Sequence, residues 1–415
     1  MGVDSLTGHH RAMLRIAVVL WVVILVGCVD HAASLGTAPQ KGSTALPLAQ
    51  ATEPWYPRYD PKTDWNFTHA SEGAQQECLL SAALPIPRAD VPTTAQLPRL
   101  ASCNSEALYY GFAGKPDYAG ARQCAYLERA GGSRRPVGGP AVLSMIYANG
   151  LGVKRNLPLA TKFACEAGGA PAEIAARIGH LTDLAATSGP SEATFDFCDD
   201  ITSGRMEGVC TGVAATYRDY RRQDAIAQIT AGYTSTQKSA FSALQHAAAD
   251  YFDKHAMNEV DLSGTARGAF WIEDIEYSWD GFLRDLRALE ADRFPTADSA
   301  VALQADAGLD EVYQRVLAEP SLREQPPLEM PPAGIPVIGG TISRAGIRAD
   351  HDLWVSYRDA WLHFAAGRKP ALRRSAVAAW ITNQRTRNLR CLLPLGTPGA
   401  RDCTRPSLLP LNMQK

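Results

Sequence analysis

The chain has 415 residues, 46% of them hydrophobic and 20% charged, with 41 Lys+Arg against 43 Asp+Glu for a formal net charge of -2. That length exceeds what one core usually supports and allows two or three domains. The near-neutral balance gives no general attraction to nucleic acid or to an anionic membrane, so function has to be sought locally.

Basic Arg11 and Arg15 precede the run IAVVLWVVILVG, Ile16 to Gly27. Uncharged and strongly apolar, it is too short for a standard spanning helix but suits the core of a signal peptide. It ends in Leu25-Val26-Gly27-Cys28, which resembles a bacterial lipobox, with Met13 as an alternative start. The resemblance implies that residues 1–28 are a lipoprotein leader and that Cys28 is lipidated. It implies an exported, periplasmic chain held to the membrane through a lipid anchor. Val29, where inner-membrane lipoproteins carry Asp, implies the outer membrane. An ordinary signal peptide with a chance cysteine is the alternative. From Val29 to about Thr68 the sequence is rich in Ala, Pro, Gly, Ser and Thr without sustained periodicity. Residues 29–100 therefore read as a tether and irregular N-terminal segment.

Setting Cys28 aside, eight of the nine cysteines remain, an even number that suits up to four disulfides in an oxidising compartment. The local candidates are Cys198 with Cys210 and Cys391 with Cys403; the other pairings stay open. No C-x-x-C pair and no histidine at a zinc-ligand offset is present, so neither a metal nor another cofactor is expected.

Between residues 101 and 212 the sequence repeats with a shift of 39, which sets Ser105 on Ser144, Gly111 on Gly150, Lys115 on Lys154 and Ala121 on Ala160. Such a period means a stacked supersecondary unit. Each unit holds a helical stretch, a glycine-containing turn and a second helical stretch whose alanines allow close helix approach. MIYANGLGVKRNLPLATKFA, and more loosely LYYGFAGKPDYAGARQCA, resemble the Sel-like, tetratricopeptide-related repeat, with PAEIAARIGHL starting a degenerate third unit. That resemblance implies a protein-interaction scaffold. An all-α cap packed on the next domain is the alternative.

From Thr236 to Arg390 the period is again helical. Phe241, Leu244, Ala248, Tyr251, Phe252 and His255 form one stripe, and Trp271, Ile275, Trp279, Phe282, Leu286 and Leu289 a second. A third helix is predicted over Ala300–Ala318. The proline-rich run from Glu324 to Gly340 interrupts, and two more helices follow over Arg348–Ala366 and Ser375–Arg390. No alternating strand pattern appears. The fold class is therefore all-α: a short helical-hairpin repeat array followed by an antiparallel helical bundle, with residues 391–415 as a tail. Residues 236–330 hold 18 acidic against 8 basic side chains, and residues 331–415 hold 4 against 13. Opposite halves of one bundle can pair with each other or present separate charged faces.

Three segments of this region carry a family pattern. LDEVYQRVL from Leu309, IRADHDLWVSYRDAW from Ile347 and TNQRTRNL from Thr382 resemble, in order and separation, the LprI-type lysozyme-inhibitor domain. Trp354, Tyr357, Arg358 and Asp359 match the second segment, and Thr382, Arg385, Thr386 and Leu389 the third. Asp310 stands where Asn is usual, and His351 where Gln is. The chain departs from the family in lacking the cysteines that flank these helices. Trp361, Leu362 and His363 follow the Arg-Asp pair, and Val377 to Trp380 precede Thr382. The resemblance implies a periplasmic protein that binds and occludes a lysozyme or related muramidase, and the departure leaves the partner open.

Arg358, Asp359 and Arg267 are the candidate partner-binding residues, since arginine is enriched at binding hot spots. The competing reading has Arg358 paired to an acidic residue of a neighbouring helix, with Trp354, Tyr357, Trp361 and Phe364 facing the core. For an enzyme, Glu259, Asp261, Glu273, Asp274 and Glu276 supply carboxylates for acid/base cleavage of cell-wall glycan. Glu273 and Glu276 fall on the polar face of their helix, however, and no G-x-S-x-G, P-loop, GxGxxG or HExxH is present. Binding, to a muramidase or as an envelope scaffold, is the leading expectation, with no catalytic residue, no nucleic acid and no small-molecule substrate; a glycan hydrolase is the third.

Overall fold

The computed structural model describes residues 65–131, 135–186, 194–324, 341–401, 403 and 407–409. The expected leader with Cys28, the first part of the expected tether and most of the proline-rich run lie outside the described residues. Fourteen α-helices and no strand are present among the described residues, so the fold is all-α.

Residues expected to be irregular already carry structure. After α1 (Trp65–Thr68), helix α2 (Glu72–Ala82) starts at Ser71, whose hydroxyl accepts from the Ala74 N–H at 3.3 Å. EGAQQECLLSA shows little amphipathic periodicity, so the pattern gives no warning of a helix. A disulfide from Cys78 to Cys165 and the buried Phe67 and Ala74 hold this segment to the core. Helix α3 (Leu97–Leu100) follows.

The 39-residue repeat is visible bond by bond. Helices α4 (Ser105–Tyr110) and α5 (Tyr118–Gly131) form one hairpin, and α6 (Pro140–Asn149) and α7 (Leu157–Ala167) the next. Gly111 and Gly150 end the first helix of each at φ 65° and 68°, the left-handed region that favours glycine. The next N–H returns to equivalent carbonyls, Phe112 to Ala107 and Leu151 to Ile146, both at 3.1 Å. Asp117 N–H to Leu108 and Asn156 N–H to Tyr147 follow, both at 2.9 Å. Asp117 and Asn156 then cap the second helices, accepting from Gly120 at 2.9 Å and Leu159 at 3.1 Å. Helix α8 (Pro171–Ala186) packs on α7.

Helix α9 (Gly204–Thr230) crosses the expected boundary at residue 212. Its Cys210 and Val213 lie in the core of the repeat unit and its Ile226 in the second core, so one continuous helix joins the two. It runs along α11 (Arg267–Glu290) and approaches closely at its start: a Cβ on Gly204 would meet the Thr265 backbone at 2.4 Å. The second core is built by α10 (Ser235–Asn258), α11, α12 (Ser299–Leu317), α13 (Arg344–Arg368) and α14 (Arg374–Arg390). Helix α10 lies along α13, and α12 along α14. Thr234, Asp298 and Ser343 cap α10, α12 and α13. The aromatic stripe of α13 is the centre of this core: Trp354, Tyr357, Trp361 and Phe364 are at most 4% exposed. Trp361 meets Phe282 at 5.5 Å and Phe364 meets Phe241 at 5.4 Å.

The acidic and basic halves of the bundle pair with each other. Arg368 grips Glu290 through two bonds of 2.9 and 2.7 Å, Lys369 reaches Asp292 at 2.8 Å, and Arg358 reaches Asp306 at 3.6 Å. All eight cysteines that follow Cys28 form disulfides: Cys78–Cys165, Cys103–Cys124, Cys198–Cys210 and Cys391–Cys403. Four disulfides suit an oxidising compartment. Among the described residues no helix is long and apolar enough to cross a membrane.

Candidate functional site

The stripe that places α10 against α13 carries polar residues at its C-terminal end. Tyr251, His255 and Glu259 follow one another at four-residue steps, so they rise along one face and enter the core together. Arg385 of α14 meets them there. Its guanidinium forks onto Glu259 at 2.7 and 2.6 Å, lies 3.5 Å from Asp350 of α13, and donates to the Tyr251 hydroxyl at 3.3 Å. His255 bonds Asp274 of α11 through Nδ1 at 2.8 Å and faces Glu259 through Nε2 at 3.4 Å. Arg385, Glu259, His255, Asp274 and Asp350 are all at most 6% exposed.

Burial at this density has to be compensated charge by charge. Burial opposes a charged His255, yet the Asp274 carboxylate overcomes it and lifts the imidazole to about 9. Burial likewise opposes an ionised Glu259, but Arg385 and then His255 hold it below the usual carboxylate range. Asp350 goes the other way, pushed well up by burial and by the neighbouring Glu259 charge. The cations Arg385 and His255 thus face the carboxylates Glu259 and Asp274, with Asp350 pushed toward its neutral form beside them.

A cavity of about 320 Å³ opens beside this cluster. His255, Glu259 and Asp274 form its charged wall, with Phe270, Glu273, Asn388 and the Cys391–Cys403 bridge around it. Phe270 is 39% exposed. Glu273 accepts from the Leu408 N–H at 3.0 Å, which ties the C-terminal segment across to α11. Within this wall Glu259 is held ionised by Arg385, and Asp274 serves the imidazolium. Neither is placed as the protonated carboxyl that acid-assisted glycoside cleavage requires.

Glu276 corrects the expectation of a solvated face on α11. It is 5% exposed and clasped by Arg222 of α9 through bonds of 2.8 and 3.1 Å, and Arg222 also reaches Asp280 at 2.9 Å. The face looked polar because no helix was predicted over residues 213–235, which hold the part of α9 that covers it. Asp261, the remaining acid considered for catalysis, is exposed and accepts from the Ser263 N–H at 3.0 Å.

The structure does not gather the three expected binding residues into one cluster. Arg358 lies over the Trp354 ring at 5.0 Å and near Asp306 and Asp359, at 3.6 and 3.7 Å. Its role is thus first that of a link from α13 to α12. The Asp359 side chain remains 59% exposed. Arg267 begins α11, where it donates to the Gly264 carbonyl at 3.2 Å, one turn before Phe270. Sequence reasoning missed His255, Asp350 and Arg222. The signal for His255 was a titratable residue on an apolar stripe, four residues from a glutamate. Among the described residues no group of three or more His, Cys, Asp or Glu is arranged to hold a metal ion.

No family model matches this chain, and no curated protein and no solved structure is significantly similar to it.

Proposed function

We propose that this chain is an exported binding protein whose C-terminal bundle captures and occludes a lysozyme or related muramidase, with Cys28 as a lipid anchor to the periplasmic face of the outer membrane. One observation carries the reading: the three segments that resemble the LprI-type domain meet in space. Tyr313 of α12 stacks on His351 of α13 at 4.4 Å between ring centres, and His351 leans on Trp354 at 5.3 Å. Arg385 of the third segment lies 3.5 Å from Asp350 of the second, and Thr382 donates to Asp306, just before the first segment on α12, at 3.0 Å. Unrelated matches scattered from residue 310 to residue 389 have no reason to converge on one layer. Occlusion needs a complementary surface and no chemistry. Asp359 and Phe270 are exposed members of the faces this layer supports.

The test is a turbidity assay of lysozyme-driven lysis with the chain from residue 29 onward. Slowed lysis at micromolar inhibitor supports the reading; unchanged lysis at micromolar excess ends it. Asp359→Ala and Arg267→Ala should each weaken inhibition with no change in melting temperature.

A second reading, an envelope scaffold, is supported by the hairpin repeat. A groove of about 540 Å³ runs beside the start of α7 and the end of α8, lined by Lys154, Arg155, Pro158 and Leu184. Deleting residues 101–212 would cut through α9 and remove Cys210, so the better probe is Lys154→Glu with cross-linking in the envelope. Loss of a cross-linked partner in that variant supports the scaffold.

A further inference from the structure

The ion pairs of the bundle use Lys254, Arg315, Arg348, Arg358, Arg368, Lys369 and Arg385 among its basic side chains. Arg284 on α11, Arg387 and Arg390 on α14, and Arg401 beyond it take part in none among the described residues, and all four are exposed. The fold gathers them. Asp285 of α11 accepts from Trp380 Nε1 at 3.0 Å and Gln384 Nε2 at 2.8 Å, which fixes Arg284 beside the stretch of α14 that carries Arg387. The Arg401 N–H donates to the Arg390 carbonyl at 3.2 Å, and the Cys391–Cys403 bridge closes the same loop, so Arg401 is pinned against the last turn of α14. We propose that this arginine face docks the folded part of the chain onto an anionic phospholipid surface.

The charges are held together against their own repulsion. Partial burial, then Arg401 and Arg284, depress the Arg387 guanidinium, while the nearby Asp285 carboxylate is already engaged by Trp380 and Gln384. The helix dipole accounts for cations in the last turn of α14 but not for Arg284 or Arg401, which come from other elements. A patch of this kind is relieved by an external anion, and guanidinium forks match phosphate oxygens in pairs. The proposed lipid anchor at Cys28, on which this inference rests, would place a membrane at the N-terminal end of the chain and leave the orientation of the folded part open. A basic face against anionic headgroups supplies that orientation.

The experiment is co-sedimentation of the chain from residue 29 onward, which keeps every described residue and removes the leader and anchor. The vesicles are pure phosphatidylcholine, or the same lipid with about 30% phosphatidylglycerol, near the charge of an anionic leaflet. Binding is expected on the anionic vesicles only. It should fall about fivefold for each arginine removed in R284Q/R387Q/R401Q and be lost at high salt. Equal binding to neutral vesicles overturns the proposal, as does unchanged binding of the triple variant. Complete competition by millimolar inorganic phosphate would also overturn it, since that indicates a discrete anion site. If the triple variant melts early, R401Q alone, outside any helix, carries the same test through its single fivefold step.

Discussion

Replacing Arg385 with Gln tests whether the buried cluster holds the bundle together. The guanidinium is fully buried and makes two bonds to Glu259, 2.7 and 2.6 Å long. Its removal takes both of those bonds from Glu259 and removes the cation facing Asp350. Deleting one partner of a buried pair costs about 3–5 kcal/mol, because the other charge stays buried without its counterion. For a unit of this size about 2–4 °C are lost per kcal/mol, so R385Q should lower the melting temperature by roughly 6–20 °C. The control is Asp350→Asn. Burial and the Glu259 charge push the Asp350 carboxyl well up, which favours its neutral form. An amide of the same shape should therefore change stability by less than about 1 kcal/mol at neutral pH, or raise it. Thermal unfolding followed by circular dichroism at pH 7 reads both. If D350N costs as much as R385Q, Asp350 is ionised and the charge assignment is wrong. If R385Q costs under about 1 kcal/mol, the cluster is not what holds α10 to α14.

His255 gives the cluster a pH signature. Its folded-state value, about 9 against an ordinary 6.5, means a contribution fully present below 6.5 and lost as pH rises through 9. H255Q should remove that decline, and parallel stability–pH curves for the two proteins would contradict the assignment. Arg222→Met should destabilise by about 3 kcal/mol or more by stranding the buried Glu276. R222M with E276M should recover most of that, which a double-mutant cycle in urea will show. Replacing Cys78 and Cys165 by Ala should cost roughly 2–5 kcal/mol and expose α2 to protease first, since the bridge spans 87 residues. Equal cleavage of wild type and variant under limited proteolysis would argue that burial of Phe67 is sufficient.

The parts of this fold that could be read from sequence are those in which one periodicity decided the outcome. The aromatic stripe of α13 predicted its burial because bulky residues at three- and four-residue steps have only one face to hide. The repeat was legible because Gly111 and Gly150, and Asp117 and Asn156, fill positions that local backbone geometry restricts. Helix α9 was not legible at full length. Its small face, Gly204 and Gly208, suits close packing on α11 but looks like a linker in a hydropathy pattern, and Arg222 looks like surface. Missing α9 made Glu276 look solvated. The candidate site was legible only in pieces: Glu259 and Asp274 stood out as carboxylates and Arg385 as a motif residue, whereas His255 and Asp350 have an unremarkable setting along the chain. Only the crossing of α10, α11, α13 and α14 turns them into one balanced cluster.

That arrangement bears on how a family resemblance should be read in this chain. Trp354, Tyr357, Thr382, Arg385 and Leu389, the residues that carry it, are all nearly fully buried. Arg358 spends its charge on Asp306 and its flat face on Trp354. Motif residues used in this way specify how α12, α13 and α14 pack, and a partner in solution touches almost none of them. Under the proposed function, the choice of partner then falls to exposed residues outside the motif, such as Phe270 and the exposed arginines. A bundle can keep the motif and change what it binds. It can also lose the flanking cysteines once aromatic packing around Trp361 fills the space between the helices. Surface variants, in preference to motif variants, are therefore the ones that test the proposed binding apart from folding.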